Sequence, residues 1–400
     1  MFKKINLLLF LSFSLPNLLA EKDWYGNSAE SKNSKDFTYV VSSFNETGFE
    51  ISEAIKEAAK KKNGYLNESK LFDAQIIKDT KAVKKILKEN VKAEECYTKT
   101  IDGVDISYSY IARGGDNVII VAPGFTNAKE TMAPFVEMFW NNRDCDIVLM
   151  NFRGHGDLMN KSKDQGRLNN FFKKFLEVDL SVSRFGFKEE EDIFAVVKAV
   201  KEKKLEKDKK QYKKVIGLGV CYGAMLMAKA QGLKNKEGEK LFSDLILDGC
   251  WLSLKSIIDN GKNNMALFFD PQHGGSKWGI TSAEYCITAV LQRWPVQMFL
   301  MWQVSKLSDN KLNDDIRVTT YLPNIKDTNV LMFYSRNDLV ISRDYFETIW
   351  ETINVPKAVV ITSNPHVRNH LKQKELYKFA CDNFIAHGPQ FFVESQFKVN

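Results

Sequence analysis

The chemistry of this chain concentrates in five residues, Gly219-Val220-Cys221-Tyr222-Gly223, inside the run "KVIGLGVCYGAM". A short apolar run precedes them and a helix-like segment follows. The two glycines bracket a sharp turn, and small residues there allow close backbone approach. The cysteine at the apex then projects beyond the strand end, at the N-terminus of a helix. The dipole and unpaired N–H groups at that terminus favour a thiolate over a thiol. Cys221 is therefore a candidate nucleophile, and the alternative reading is a buried thiol at a degenerate turn.

A second turn fits the same chemistry. "APGFTNAKETM" directly follows the strand-like "NVIIVA". Pro123-Gly124-Phe125 turns the backbone so that the N–H of Phe125 is one candidate oxyanion donor. The N–H of Tyr222, next after the cysteine, is the other. Each such donor is typically worth roughly 3–4 kcal/mol in a transition state.

The elements that must position these groups read clearly. "YTKTIDGVDISYSYIA" alternates around Asp102-Gly103, a hairpin signal. "NVIIVA", "CDIVLMN", "KVIGLGV", "DLILDG", "NVLMFY" and "KAVVIT" are near-continuous apolar strands. Between them lie the helical "EEEDIFAVVKAVKEKK", "AMLMAKAQ" and "RDYFETIWETI", with "QKELYKFACDNFIA" last. Strands of this kind alternating with helices imply an α/β fold with a mostly parallel sheet buried on both faces. Residues 251–328 exceed an ordinary connection. We expect a helical, lid-like insertion over 252–328, rich in Trp, Phe and Met. Its alternative is extra helices burying more core. Residues 21–93 are expected to form an N-terminal helical extension, loose over 21–45, and residues 389–400 a C-terminal tail.

The 400 residues carry a formal charge of +7, with 27% charged and 44% hydrophobic residues. Lysines alternate with glutamates on helix-like segments, which reads as solvated faces. No nucleic-acid reader motif accompanies them, so no nucleic-acid partner is expected. Residues 1–20 carry Lys3 and Lys4, an apolar run broken by Pro16, and Ala20 before a cut. That is the layout of a secretory signal peptide, and secretion or periplasmic export follows from it. The alternative is an uncleaved anchor, which would be the chain's one membrane contact. The six cysteines (Cys96, Cys145, Cys221, Cys250, Cys286 and Cys381) do not make a disulfide scaffold in a chain this long. No metal-ligand spacing, phosphate loop or dinucleotide fingerprint occurs, so neither a metal nor a cofactor is expected. A small-molecule or acyl substrate is the expected partner, and the sequence is silent on oligomeric state.

"LMNFRGHGD" resembles the Asp-x-Arg-Gly-His-Gly loop of α/β-hydrolases, with Asn151 in place of the acid. The Pro-Gly-Phe turn, this loop and the cysteine turn occur in that superfamily's order, over about residues 94–388. The resemblance implies the α/β-hydrolase fold, with Gly219 and Gly223 shaping a nucleophile elbow. It places a triad acid at Asp338 in "VLMFYSRNDLVIS" and a triad histidine in "VVITSNPHVRNHL". His366 and His370 compete there, and the interval to the last helix favours His366. His155 is expected to be structural, holding the loop after its strand, and His273 to sit on a surface turn of the insertion, with substrate contact as the alternative; His387 has no suggestive context. The chain resembles dienelactone hydrolases and polyhydroxyalkanoate synthases, though only at the cysteine elbow and in the general triad plan. "DLVIS" and "NPHVRNH" are closer to esterase-, peptidase- and lysophospholipase-like members. The implied activity is hydrolysis of an ester, thioester or lactone through an acyl-cysteine. Acyl transfer by the same Cys-His-Asp set, and a binding protein without turnover, are the alternatives.

Overall fold

In the computed structural model, the apolar runs pair into one nine-stranded sheet. The structure describes residues 38–42, 80–140, 142, 144–158, 178–179, 181–259, 317–336, 338, 340–362, 364 and 366–392. All belong to one unit, Phe37–Asn400. The expected signal peptide, most of the N-terminal extension (21–37 and 43–79), most of the insertion (260–316, with His273 and Cys286) and the last residues of the tail lie outside them.

The strands are β1 (Thr38–Ser42), β2 (Glu94–Lys99), β3 (Asp105–Ile111), β4 (Asn117–Ala122), β5 (Cys145–Met150), β6 (Lys214–Val220), β7 (Asp244–Asp248), β8 (Asn329–Ser335) and β9 (Lys357–Thr362). Their order is β1-β9-β8-β7-β6-β4-β5-β3-β2. The hairpin β2–β3 and the pair β3–β5 are antiparallel, and every other pair is parallel. Central strands such as β5, β7 and β9 are buried along their whole length, which explains their unbroken Val, Ile and Leu content. Among the described residues, the helices longer than one turn are α1 (Thr80–Glu89), α2 (Ala133–Phe139), α3 (Glu190–Asp208), α4 (Tyr222–Lys236), α5 (Leu254–Asp259), α6 (Arg343–Thr352) and α7 (Lys374–His387). None of the described helices is long and apolar enough to cross a membrane.

One expectation is corrected. Residues 21–45 read as loose, yet Thr38–Ser42 form β1, paired in parallel with β9 from Thr38↔Lys357 to Ser42↔Ile361. "TYVVS" has strand-favouring Tyr and Val, but five residues in a polar stretch do not declare a strand alone. The unpaired edge of β9 supplies the hydrogen-bond partners that do. The described part of the expected helical extension includes α1, with Val83 and Leu87 buried in the core.

The topology itself selects a site. From β4 the chain runs outward to β5, then returns to lay β6 on the other side of β4. Crevices outside the carboxyl ends of parallel strands at such a reversal are where α/β sheets bind ligands. Ala122 at the end of β4 is in register with Gly219 near the end of β6. The Pro-Gly-Phe turn and the cysteine turn therefore leave the sheet side by side.

Candidate active site

The cysteine turn is built by steric exclusion. A Cβ on Gly219 would lie 2.5 Å from the Ala224 backbone, and one on Gly223 would lie 2.6 Å from the carbonyl oxygens of Ala122 and Pro123. No side chain fits either place. Cys221 takes φ 57° and ψ −114° to pass from β6 into α4. For a residue with a side chain this conformation costs on the order of 1–3 kcal/mol, and strain of this kind gathers at functional sites. Cys221 N–H donates to Asp248 O at 2.7 Å, which ties the apex to the neighbouring strand end.

The sulfur meets a histidine. His366 Nε2 stands 3.1 Å from Cys221 Sγ, and His366 Nδ1 stands 2.6 Å from Asp338 Oδ2. The other carboxylate oxygen, Oδ1, accepts from the N–H groups of Val340 and Ile341, each at 2.8 Å. Asp338 thus folds its own turn and orients the imidazole with one side chain. Burial alone would depress the His366 imidazole, but the Asp338 carboxylate and the Cys221 sulfur carry it well above its ordinary value. His366 is packed from behind. A Cβ on Gly249 would lie 2.9 Å from its Cε1, and Gly249 itself has φ +62°.

His370 is elsewhere. It is buried and stacked on Phe135 at 4.7 Å between ring centroids, and burial pushes it down to about 3. His387 is exposed and stacks on Phe391. His155 is fully buried, with Nδ1 2.9 Å from Arg153 O, and burial lowers its basicity. Asn151, where the loop departs from an acid, knits that loop together. Its Oδ1 accepts from Lys129 N–H at 2.7 Å, and its Nδ2 donates to Asp157 at 2.7 Å and Ser107 at 3.0 Å.

The two candidate oxyanion donors lie on the turns that meet at Cys221. Tyr222 opens α4, where first-turn N–H groups have no intrahelical acceptor. The turn at Gly124 closes through Asn127 N–H to Gly124 O at 3.2 Å, not through Phe125. A Cβ on Gly124 would lie 3.3 Å from Cys221 Cβ, so this turn abuts the cysteine turn. The Phe125 ring packs edge-on against Tyr222 and His155.

Three further residues had no clear sequence signal. Trp251 Nε1 donates to Cys221 Sγ at 2.8 Å. Asn369 Nδ2 donates to Asp248 Oδ1 at 3.3 Å, while its Oδ1 accepts from Thr362 and Asn364. Asp248 itself is buried at the end of β7. The position of Trp251 just past a central strand end is the one hint that the sequence held. Burial drives the Asp248 carboxyl up to about 7; His366 and the Asn369 amide oppose the shift, and Asp338 adds to it.

The sign of the consequence is definite. Between about pH 4 and 7 the folded state holds a proton on Asp248 that the unfolded chain has lost, so stability falls as pH rises through that window. A displacement from 3.8 to about 7 corresponds to on the order of 4 kcal/mol. Asp248→Asn is expected to flatten the denaturant midpoint between pH 4 and 8 and to raise stability at pH 8. A variant whose pH dependence matches the wild type would refute this.

No protein-family model matches the sequence, and no curated protein does. Solved structures match the fold. An esterase from Pyrococcus furiosus in space group P212121 superposes with a TM-score of 0.51 and 20% identity, covering 75% of this chain and 93% of that one. The same esterase in space group C2221 gives 0.50 and 19%, covering 75% and 92%. The α/β-hydrolase GrgF from Penicillium sp. sh18 gives 0.49 and 14%, covering 74% and 98%. With the strand order described above, the likeness to the Pyrococcus furiosus structures gives the chain the α/β-hydrolase fold.

Proposed function

On this α/β-hydrolase fold, we propose an enzyme that hydrolyses carboxylic esters, thioesters or lactones through an acyl-Cys221 intermediate. The observation that carries the proposal is the relay from sulfur to imidazole to carboxylate, 3.1 Å and then 2.6 Å. His366 takes the thiol proton, and Sγ adds to the substrate carbonyl. The N–H groups of Phe125 and Tyr222 receive the oxyanion. The intermediate collapses, the leaving alcohol or thiol takes the proton from His366, and a thioester remains on Cys221. Water then adds with His366 as base and releases the acid. Asp338 holds the imidazole in the tautomer with its proton on Nδ1 and balances the charge it gains. The esterase named for the Pyrococcus furiosus neighbour agrees in reaction class. The N-terminal layout adds export to the proposal, and mass analysis of the secreted chain beginning at residue 21 tests that part.

The test is direct. The full chain is mixed with a p-nitrophenyl ester, quenched in acid and digested. A burst of nitrophenol near one equivalent, with the acyl mass on the Cys221 peptide, is the expected result. Turnover without that adduct, or an adduct on another residue, overturns the proposal. Added alcohols, amines or thiols that capture the acyl group in preference to water turn the reading to acyl transfer. Binding without acylation turns it to a non-catalytic protein.

A further inference from the structure

We infer that Trp251 is a second catalytic group on the nucleophile, beside His366: its indole N–H donates to the Cys221 sulfur and stabilises that sulfur as the leaving group when the acyl-enzyme is resolved. The inference rests on the reading of Cys221 as the nucleophile.

Two ring nitrogens converge on one sulfur, Trp251 Nε1 at 2.8 Å and His366 Nε2 at 3.1 Å. Their chemistry differs. Imidazole exchanges a proton with the thiol, whereas indole is a donor only. A thiol or thioester sulfur is a weak acceptor, and hydrogen bonds to charged groups are roughly twice as strong as neutral ones. The indole bond is therefore strongest whenever the sulfur is anionic. It is also shielded from water. Trp251 is 4% exposed, and its ring lies 5.3 Å from Tyr222 and 5.9 Å from Phe125 between centroids. Hydrogen bonds in such surroundings are stronger than in water. The placement is built into the sheet. Trp251 is the third residue past the end of β7, and the bond from Cys221 N–H to Asp248 O locks the ends of β6 and β7 together.

The sulfur becomes anionic twice in the cycle, before acylation and during deacylation. In deacylation water adds to the thioester carbonyl and its proton passes to His366 Nε2. The tetrahedral intermediate then collapses. The C–Sγ bond breaks, its electron pair goes to Sγ, and the carboxylic acid departs. The thiolate forms under Trp251 Nε1–H and the His366 imidazolium. A donor held on a thiolate lowers its intrinsic nucleophilicity while making it a better leaving group. Trp251 therefore assists deacylation more than acylation.

Trp251→Phe keeps the ring and removes the donor. Two readouts are taken in the full chain: burst and steady-state rates with a p-nitrophenyl ester, and the pH profile of Cys221 alkylation by iodoacetamide. The groups that titrate around this sulfur are His366, Asp338, Asp248 and Cys250, and the variant retains all four. Deacylation is expected to slow by about 10-fold or more, with acylation slowed less, so the acyl-enzyme accumulates. The alkylation midpoint is expected to move to higher pH. If the wild type acylates at Cys221 but the variant keeps the same partition and profile, this inference fails alone. If the wild type does not acylate at Cys221, the nucleophile reading itself fails. A wild-type measurement stands should the variant not fold. Among the indole N–H signals of the seven tryptophans in 15N-labelled protein, one is expected to move on alkylation of Cys221. No movement overturns the inference.

Discussion

Alanine at position 221 is expected to lower kcat for a hydrolysable ester or thioester by on the order of 10⁴–10⁶, with the fold retained. The loss is large because no other group replaces the sulfur where His366 Nε2 and Trp251 Nε1 converge. The structural cost is small by comparison. Alanine fits inside the volume of cysteine, and the strained φ of 57° is borne by either residue. What remains is an indole N–H without its acceptor, worth about 1–3 kcal/mol. Cys221→Ser separates alignment from reactivity. Its hydroxyl keeps a polar atom between the same two ring nitrogens but needs His366 to remove its proton at the moment of attack. It is expected to fall between alanine and the wild type. Equal kcat for Cys221→Ala and the wild type, on a substrate the wild type cleaves, would remove Cys221 from the mechanism. A single thermal melt for each variant, close to the wild type, shows that the comparison concerns chemistry rather than folding.

Asp338→Asn is expected to reduce kcat by about 10⁴ with little change in the surrounding turn. Asparagine retains one carbonyl oxygen, which can serve the N–H groups of Val340 and Ile341 as Oδ1 does now. The other position then presents an amide N–H to His366 Nδ1, where the carboxylate accepted a proton at 2.6 Å. Two donors cannot face each other, so the imidazole proton moves to Nε2. That nitrogen is then unable to take the thiol proton. The carboxylate charge that holds His366 well above its ordinary value disappears as well. The sign follows. With the acid present, the imidazolium persists toward higher pH. Without it, the limb of the pH–rate profile belonging to His366 moves down. Unchanged kcat together with an unmoved limb would show that Asp338 merely shapes its turn.

Some of this was legible residue by residue because its causes are local. Val118–Ala122, Cys145–Met150 and Lys357–Thr362 announce buried strands by composition alone. Gly219 and Gly223 announce a turn too tight for side chains, and the clashes a Cβ would meet give the reason. Asp338 and His366 follow strands in the order the resemblance requires. Choosing His366 over His370 took only their distances from the strand end and from the last helix. In the fold one faces the sulfur and the other lies buried against Phe135.

Other features depend on which strands become neighbours, and no local pattern encodes that. Thr38–Ser42 is a strand because β9 offers a free edge. Asn151 reads as a missing acid, yet folding brings Lys129, Ser107 and Asp157 to its amide. Asp248 and Asn369, 121 residues apart, meet beneath the histidine loop. Trp251 reaches Cys221 across 30 residues because β6 and β7 lie side by side and end together. The sequence by itself determined the strands, the strained cysteine turn and the residue types available for nucleophile, base and acid, since sterics and apolar period act within a few residues. Only the tertiary structure decided which groups surround the sulfur, because hydrogen bonds of about 3 Å between distant residues exist only once the sheet order brings their strand ends together.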